Sequence, residues 1–178
     1  MLNTQCHKKL RIAGTINDSI VDGPGIRYVI FTQGCPHHCP GCHNPETHDF
    51  SGGQDADVEQ IVAQIGKNPL LSGVTFSGGE PMCQAEALLP IAEEVKRMGK
   101  HLMIYTGYLY EKLLEMKDPA VSRLLELADL LVDGPFVLAE KNLTLSFRGS
   151  ENQRVIDLGK TRDAGTVVLY RSEYEDLF

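Results

Sequence analysis

The 178-residue sequence has no apolar run approaching the ~18 residues that a membrane-spanning helix needs. Its first residues, MLNTQCHKKL, lack the apolar stretch of a secretory signal, so the expected location is the cytoplasm. Basic charge is short as well: 17 Lys and Arg stand against 24 Asp and Glu, a formal net charge of −7. Binding driven by phosphate neutralisation needs the opposite sign, so nucleic acid is not the expected partner. No repeat, low-complexity tract or Ser/Pro linker marks a domain boundary. The expectation is one domain over 1–178, ending in a solvated acidic tail at 171–178. Length is also short. A complete eightfold β/α barrel takes about 250 residues and rarely fewer than about 200, so any β/α pattern here must form an open sheet or part of a barrel. A disulfide framework is missing too: the five cysteines (6, 35, 39, 42 and 83) are odd in number and have no framework spacing. In a reducing compartment that points to metal or redox chemistry.

What is present is a β/α alternation. Arg27–Gln33 is β-branched and aromatic, bounded by glycines, and reads as a buried strand. Asp57–Lys67 carries Val58, Ile61, Val62 and Ile65 at helical spacing, with Asp55 or Asp57 as N-cap. Val74–Ser77 reads as the second strand. Leu88, Ile91, Ala92, Val95 and Met98 line one face of a helix, which Pro90 places as starting near Ala87–Leu89. His101–Tyr105 is a third strand, and Tyr108–Leu127 is helical with a break before Pro119. Leu130–Asp133 is a fourth strand, and Leu143–Phe147, Arg154–Asp157 and Val167–Tyr170 read as short strands. Strands alternating with helices imply a parallel sheet with right-handed crossovers. In such folds chemistry lies beyond the carboxyl ends of the strands, which here carry Cys35–His43, Ser77–Pro81, Thr106-Gly107 and Asp133-Gly134.

Three of the five cysteines fall within eight residues, in Gln-Gly-Cys35-Pro-His-His-Cys39-Pro-Gly-Cys42-His-Asn. Three thiolates so close, separated by Pro and Gly, can surround one metal centre. Zinc needs a fourth ligand, which His37, His38, His43 or His48 can supply. A cubane iron–sulfur cluster normally takes four cysteines, so three leave one iron without a protein ligand, which is either a defect or a position open to a substrate. In Ser77-Gly-Gly-Glu-Pro81, two glycines let backbone approach a ligand, and Glu80 offers a carboxylate to an ammonium group.

The Cys-x-x-x-Cys-x-x-Cys spacing after the first strand resembles the cluster motif of the radical S-adenosylmethionine (SAM) enzymes. Gly78-Gly-Glu-Pro81 after the second strand resembles their GGEP motif. Gly41 stands where many members carry an aromatic residue. The DGPGIR run (Asp22–Arg27) and His43-Asn44 are similar to the glycyl radical enzyme activase branch. Tyr105–Tyr108, Leu131–Gly134 and Phe147–Gln153 narrow the likeness to activases of anaerobic ribonucleoside-triphosphate reductase. The resemblance implies an α/β fold: an incomplete (β/α) barrel of the radical SAM type, with parallel strands and an open side. It implies a 4Fe–4S cluster on Cys35, Cys39 and Cys42, whose fourth iron is chelated by SAM. Gly41, Cys42, His43, Gly78, Gly79, Glu80, Thr106 and Asp133 are then expected to contact SAM, with Glu80 on its amino group and His43 against adenine. Reductive cleavage of SAM would give a 5′-deoxyadenosyl radical that takes hydrogen from a glycine of the reductase's glycyl radical subunit. No catalytic side chain is expected beyond the cluster and SAM, and a low-potential donor such as flavodoxin would supply the electron. The open side would admit a loop of the partner protein. His37 and His38 read as loop residues, Cys83 as a small buried thiol and Cys6 as incidental. Activation of another glycyl radical enzyme such as pyruvate formate-lyase, or a non-enzymatic zinc or iron–sulfur module, are the alternative readings.

Overall fold

A hairpin begins the fold. Strand β1 (Arg11–Ser19) runs antiparallel to β2 (Arg27–Thr32), and the Asp22–Gly25 run lies between them. The computed structural model describes residues 9–171, so Cys6 and most of the acidic tail lie outside the described residues. A two-residue strand, β3 (Gln54–Asp55), pairs with the start of β1 and leads into helix α1 (Val58–Lys67). There follow β4 (Gly73–Gly78), α2 (Ala85–Arg97), β5 (His101–Tyr105), α3 (Tyr110–Glu115), α4 (Pro119–Leu127), β6 (Leu130–Asp133), β7 (Arg154–Asp157) and α5 (Leu158–Ala164). One seven-stranded sheet results, in the order β3-β1-β2-β4-β5-β6-β7.

The four central strands β2, β4, β5 and β6 are parallel, as the alternation requires. Outside that parallel centre, β1, β3 and β7 join antiparallel. β3 and β7, at the two ends of the order, do not pair with each other, so the sheet is an incomplete barrel with an open side. Helix entries follow sequence chemistry. The Asp57, Asp118 and Asp157 carboxylates each accept a backbone N–H in the first turn of α1, α4 and α5.

Alternation along the strands separates two faces. Tyr28, Ile30, Val74, Phe76, Leu102, Ile104 and Leu131 pack against Ile61 and Ile65 of α1, Leu88, Ile91 and Val95 of α2, and Leu124 of α4. On the other face Met103, Leu130, Val132 and Val155 form a small cluster with Tyr105 and Phe147.

Three expectations change. Helix α2 starts at Ala85, two residues earlier than expected, and carries Pro90 inside it. Pro90 and Glu86 are both exposed, so solvent can satisfy the Glu86 carbonyl that proline leaves without a donor. Leu143–Phe147 is a turn segment rather than a strand: Leu143 is 83% exposed and Phe147 has a left-handed φ of 61°. Asn142 draws the turn together by accepting from the Thr144 N–H at 2.9 Å. Of Val167–Tyr170, a single bridge from Leu169 to Ile156 is all that forms.

Candidate functional site

The cysteine loop leaves β2 at Gln33, whose buried side chain donates to the carbonyls of Glu46 (3.0 Å) and Asp49 (2.7 Å). Gly34 N–H then donates to Thr47 O (2.8 Å) and Cys35 N–H to His48 O (3.1 Å), so the outgoing and returning arms are zipped together. Within the loop, Cys42 N–H donates to Cys39 O (3.1 Å), and the Asn44 N–H points at Cys42 Sγ (3.4 Å). Burial pushes the Cys35 thiol upward, opposed by backbone hydrogen bonds from His37 and His38 and reinforced by the Glu80 charge.

The end of β4 is fastened to this loop. Gly79 N–H donates to Thr32 O and Glu80 N–H to Gly34 O, both at 2.8 Å. A Cβ on Gly78 (φ 89°) would lie 2.6 Å from the Thr32 nitrogen, and one on Gly79 would lie 2.4 Å from the Gly34 carbonyl oxygen. Glycine is therefore required here because two strand ends meet backbone to backbone.

Glu80 is fully buried with both carboxylate oxygens engaged. Oε1 accepts from Met82 N–H (3.0 Å); Oε2 accepts from His37 Nε2 (2.7 Å) and Gly107 N–H (2.8 Å). One carboxylate thus links the ends of β4 and β5 to the cysteine loop. This differs from the sequence picture of Glu80 as a carboxylate open to an ammonium group, and it gives His37 a partner where a plain loop residue was expected. The His37 ring also stands edge-on to Tyr108, with centroids 4.5 Å apart.

These loops surround a cavity of about 460 Å³. Of the residues expected at the site, Cys35, Cys39, Cys42, His43, Gly78, Gly79 and Thr106 line it, whereas Gly41, Glu80 and Asp133 do not. Asp133 is buried behind the rim. It accepts from the Tyr110 N–H at 2.8 Å and forms a bidentate ion pair with Arg154, so it fastens β6 to β7 and the start of α3. Glu111 completes that pair, and the Arg154 guanidinium lowers its carboxyl below the usual range. Cys83 is exposed, correcting the expected buried thiol. Desolvation around its sulfur and the Glu80 charge push the thiol up to about 11.

The cavity also gathers Tyr105, Phe136 and Phe147, which had no expected role there, and His48, expected only as a possible zinc ligand. The Phe147–Gln153 block was visible as a motif, and its side chains brace the loop after β6 while Phe147, Arg148, Gly149 and Gln153 line the cavity. Gln153 Oε1 accepts from Gly149 and Ser150 N–H while its amide donates to Gly134 O; Asn152 donates to Pro135 O (2.8 Å). It holds the loop after β6 over the cavity, where the His43 ring meets Phe136 at 5.0 Å.

Among the described residues, no three His, Cys, Asp or Glu side chains converge on a single ion. The three thiols are instead distributed around one cavity wall, which suits a cluster in which each thiolate takes a different iron. A backbone donor already aimed at Cys42 Sγ adds to that fit.

The 4Fe–4S single cluster domain family matches residues 21–156. An anaerobic ribonucleoside-triphosphate reductase-activating protein of Haemophilus influenzae is 34% identical over 142 residues, 75% of this chain and 89% of that protein. A pyruvate formate-lyase-activating enzyme of Clostridium pasteurianum is 40% identical over 117 residues, 61% of this chain and 49% of that one. The solved structure of QueE from Escherichia coli overlaps with a TM-score of 0.44 at 22% identity, covering 57% of this chain and 54% of that chain. With the cluster domain spanning all three cysteines and a relative covered along nearly its whole length, the chain belongs to the 4Fe–4S family of anaerobic ribonucleoside-triphosphate reductase-activating proteins.

Proposed function

We propose that this chain, a single domain over 1–178, places a glycyl radical on an anaerobic ribonucleoside-triphosphate reductase. Cys35, Cys39 and Cys42 would hold three irons of the 4Fe–4S cluster. When bound, the cluster supplies the electron that splits the S–C5′ bond of SAM, and the deoxyadenosyl group takes the hydrogen atom from glycine. Gly78, Gly79 and Thr106 give SAM a wall of backbone and small side chains, and His43 with Phe136 offers the adenine a ring surface. Glu80 positions rather than reacts: it ties three segments of that wall together from behind. A low-potential donor such as flavodoxin would deliver the electron in the cytoplasm. No helix among the described residues is long and apolar enough to cross a membrane.

The observation that carries this reading is the single cavity shared by the three cysteines and the Gly78-Gly79 turn. The open side of the sheet supports a protein substrate, because a loop of another chain must reach the cavity. The test is anaerobic reconstitution to about four irons per chain, then SAM and dithionite, with and without the reductase. The expected outcome is 5′-deoxyadenosine plus a glycyl radical EPR signal on the reductase. Full iron loading without 5′-deoxyadenosine overturns the enzymatic reading. The Clostridium pasteurianum relative favours a second arm with pyruvate formate-lyase as partner. A radical formed on the lyase alone would reassign the partner while leaving the chemistry in place.

A further inference from the structure

We infer that His48 donates a hydrogen bond from Nε2 to the iron–sulfur cluster, at a sulfide or a cysteine sulfur, and raises its reduction potential. This rests on the cluster reading above. His48 Nε2 is buried and has no hydrogen-bond partner among the described residues. Buried polar atoms are nearly always paired, so an unpaired one points to something the protein chain itself does not supply. Asn152 Oδ1 is the other such side-chain atom among the described residues, and it can only accept. Sulfide and thiolate sulfur accept and do not donate, so the imidazole with Nε2 protonated has the matching chemistry.

Placement agrees. His48 lines the cavity that holds Cys35, Cys39 and Cys42. Its carbonyl accepts from the Cys35 N–H at 3.1 Å, and its own N–H donates to Pro45 O at 3.2 Å, which fixes the backbone beside the first thiol. The His38 ring stands edge-on to the His48 ring, centroids 5.1 Å apart at 82°, restraining its orientation. A fourth-ligand role would close the iron position that SAM needs. A donated hydrogen bond leaves it open. Donors to cluster sulfur favour the reduced state, which carries the extra negative charge. His48 is therefore a positioning residue for charge on the cluster, with no contact to the reacting atoms of SAM.

The test uses the full chain, reconstituted anaerobically without SAM, as the unsubstituted protein, His48→Phe and His48→Gln. EPR-monitored redox titration of His48→Phe should show about a tenfold lower ratio of reduced to oxidised cluster at a given potential, equivalent to ~59 mV for one electron. His48→Gln keeps an amide donor and should recover part of that ratio. Pulsed EPR of the unsubstituted protein carrying ¹⁵N-histidine should show a weak nitrogen coupling and an exchangeable proton. Full iron loading with an unchanged potential in His48→Phe overturns the inference. So does a nitrogen coupling of the size of a direct ligand, or none at all. If His48→Phe does not retain iron, the spectrum of the unsubstituted protein still decides. Failure of the unsubstituted chain to assemble any cluster would instead overturn the proposed function, and this inference with it.

Discussion

On the helix-covered face of the sheet, Ile30, Val74, Phe76, Leu102, Ile104 and Leu131 are wholly buried beneath α1, α2 and α4. On the opposite face the same strands bury Arg27, Val29, Thr75, Met103, Leu130 and Val132, with no helix over them, and Phe31, Ser77 and Tyr105 look into the cavity. Each apolar side chain buried against the helices contributes roughly 1.5–3 kcal/mol, so stability is concentrated on one side. The other side can then tolerate a large hollow. Period-two alternation makes this division possible, because one strand serves both faces with neighbouring residues.

The sharpest way to break that division is to alter one residue on each side. Cys39→Ala should abolish cluster binding and all 5′-deoxyadenosine formation, as measured by iron content and product analysis. The unfolding free energy of the metal-free chain should stay within about 0.5 kcal/mol of the unsubstituted one. Cys83→Ala should keep its iron. Leu88→Ala, beneath the sheet, should lose about 3 kcal/mol in denaturant unfolding of the metal-free chain while the folded fraction still takes up a full complement of iron. Loss of iron in Leu88→Ala at full folding would show that the two faces are coupled.

The same division decided what the sequence made legible. The central strands and α1, α2 and α4 could be read because their apolar residues repeat with the period of the element they form. The cysteine loop and the Gly78-Gly79 turn could be read because their chemistry is compressed into a few consecutive residues. Strand β1 carried no such signal: most of its residues are exposed, so it has no apolar alternation. Helix α5, LGKTRDA, is only seven residues long with two buried. Leu143–Phe147 had the composition of a strand and no neighbour to pair with along its length. The burial of Glu80 and the isolation of His48 Nε2 depend on residues 27 and more positions away or on the shape of a cavity, and neither is written in local pattern.

Asp133 lies at the boundary between the two faces, and its substitution should have a middle-sized effect. Asn in its place keeps the shape and an acceptor for the Tyr110 N–H, but leaves Arg154 with Glu111 as its remaining carboxylate partner. Unfolding should show a loss of about 1–3 kcal/mol, because a charged hydrogen bond is removed at a buried acceptor. SAM affinity, measured by equilibrium binding to the reconstituted protein, should stay within about twofold, since Asp133 is not on the cavity wall. A large loss of SAM affinity at unchanged stability would move Asp133 to the functional side.

The smallest effect concerns the uncovered face at the far end of the strands, where Arg27 is buried without a carboxylate in its hydrogen-bond set. Its guanidinium donates to Thr75 Oγ1 (2.6 Å), to the carbonyls of Val74 (2.6 Å) and Pro24 (3.0 Å), and to His101 Nδ1 (3.2 Å). Burial lowers the Arg27 guanidinium to about 10, which leaves it charged at neutral pH. Burial, followed by that neighbouring positive charge, lowers His101 from 6.5 to about 4; Asp129 and Asp157 oppose the shift and Lys96 adds to it. Neutral His101 accepts from Arg27, whereas protonated His101 would set two cations together. Between pH 6.5 and about 4 the unfolded chain binds a proton that the native chain refuses, so His101's contribution is complete above pH 6.5 and drains away toward pH 4. Glu111, held below 4.5 by Arg154, acts in a lower window and can be told apart from it. Urea unfolding of the metal-free chain should therefore give a lower midpoint at pH 5 than at pH 7, and His101→Gln should flatten that difference because it has no proton to gain. An equal pH dependence in both chains would mean that His101 titrates in the native state as freely as in the unfolded one, and that the Arg27 end of the uncovered face is wetter than its packing implies.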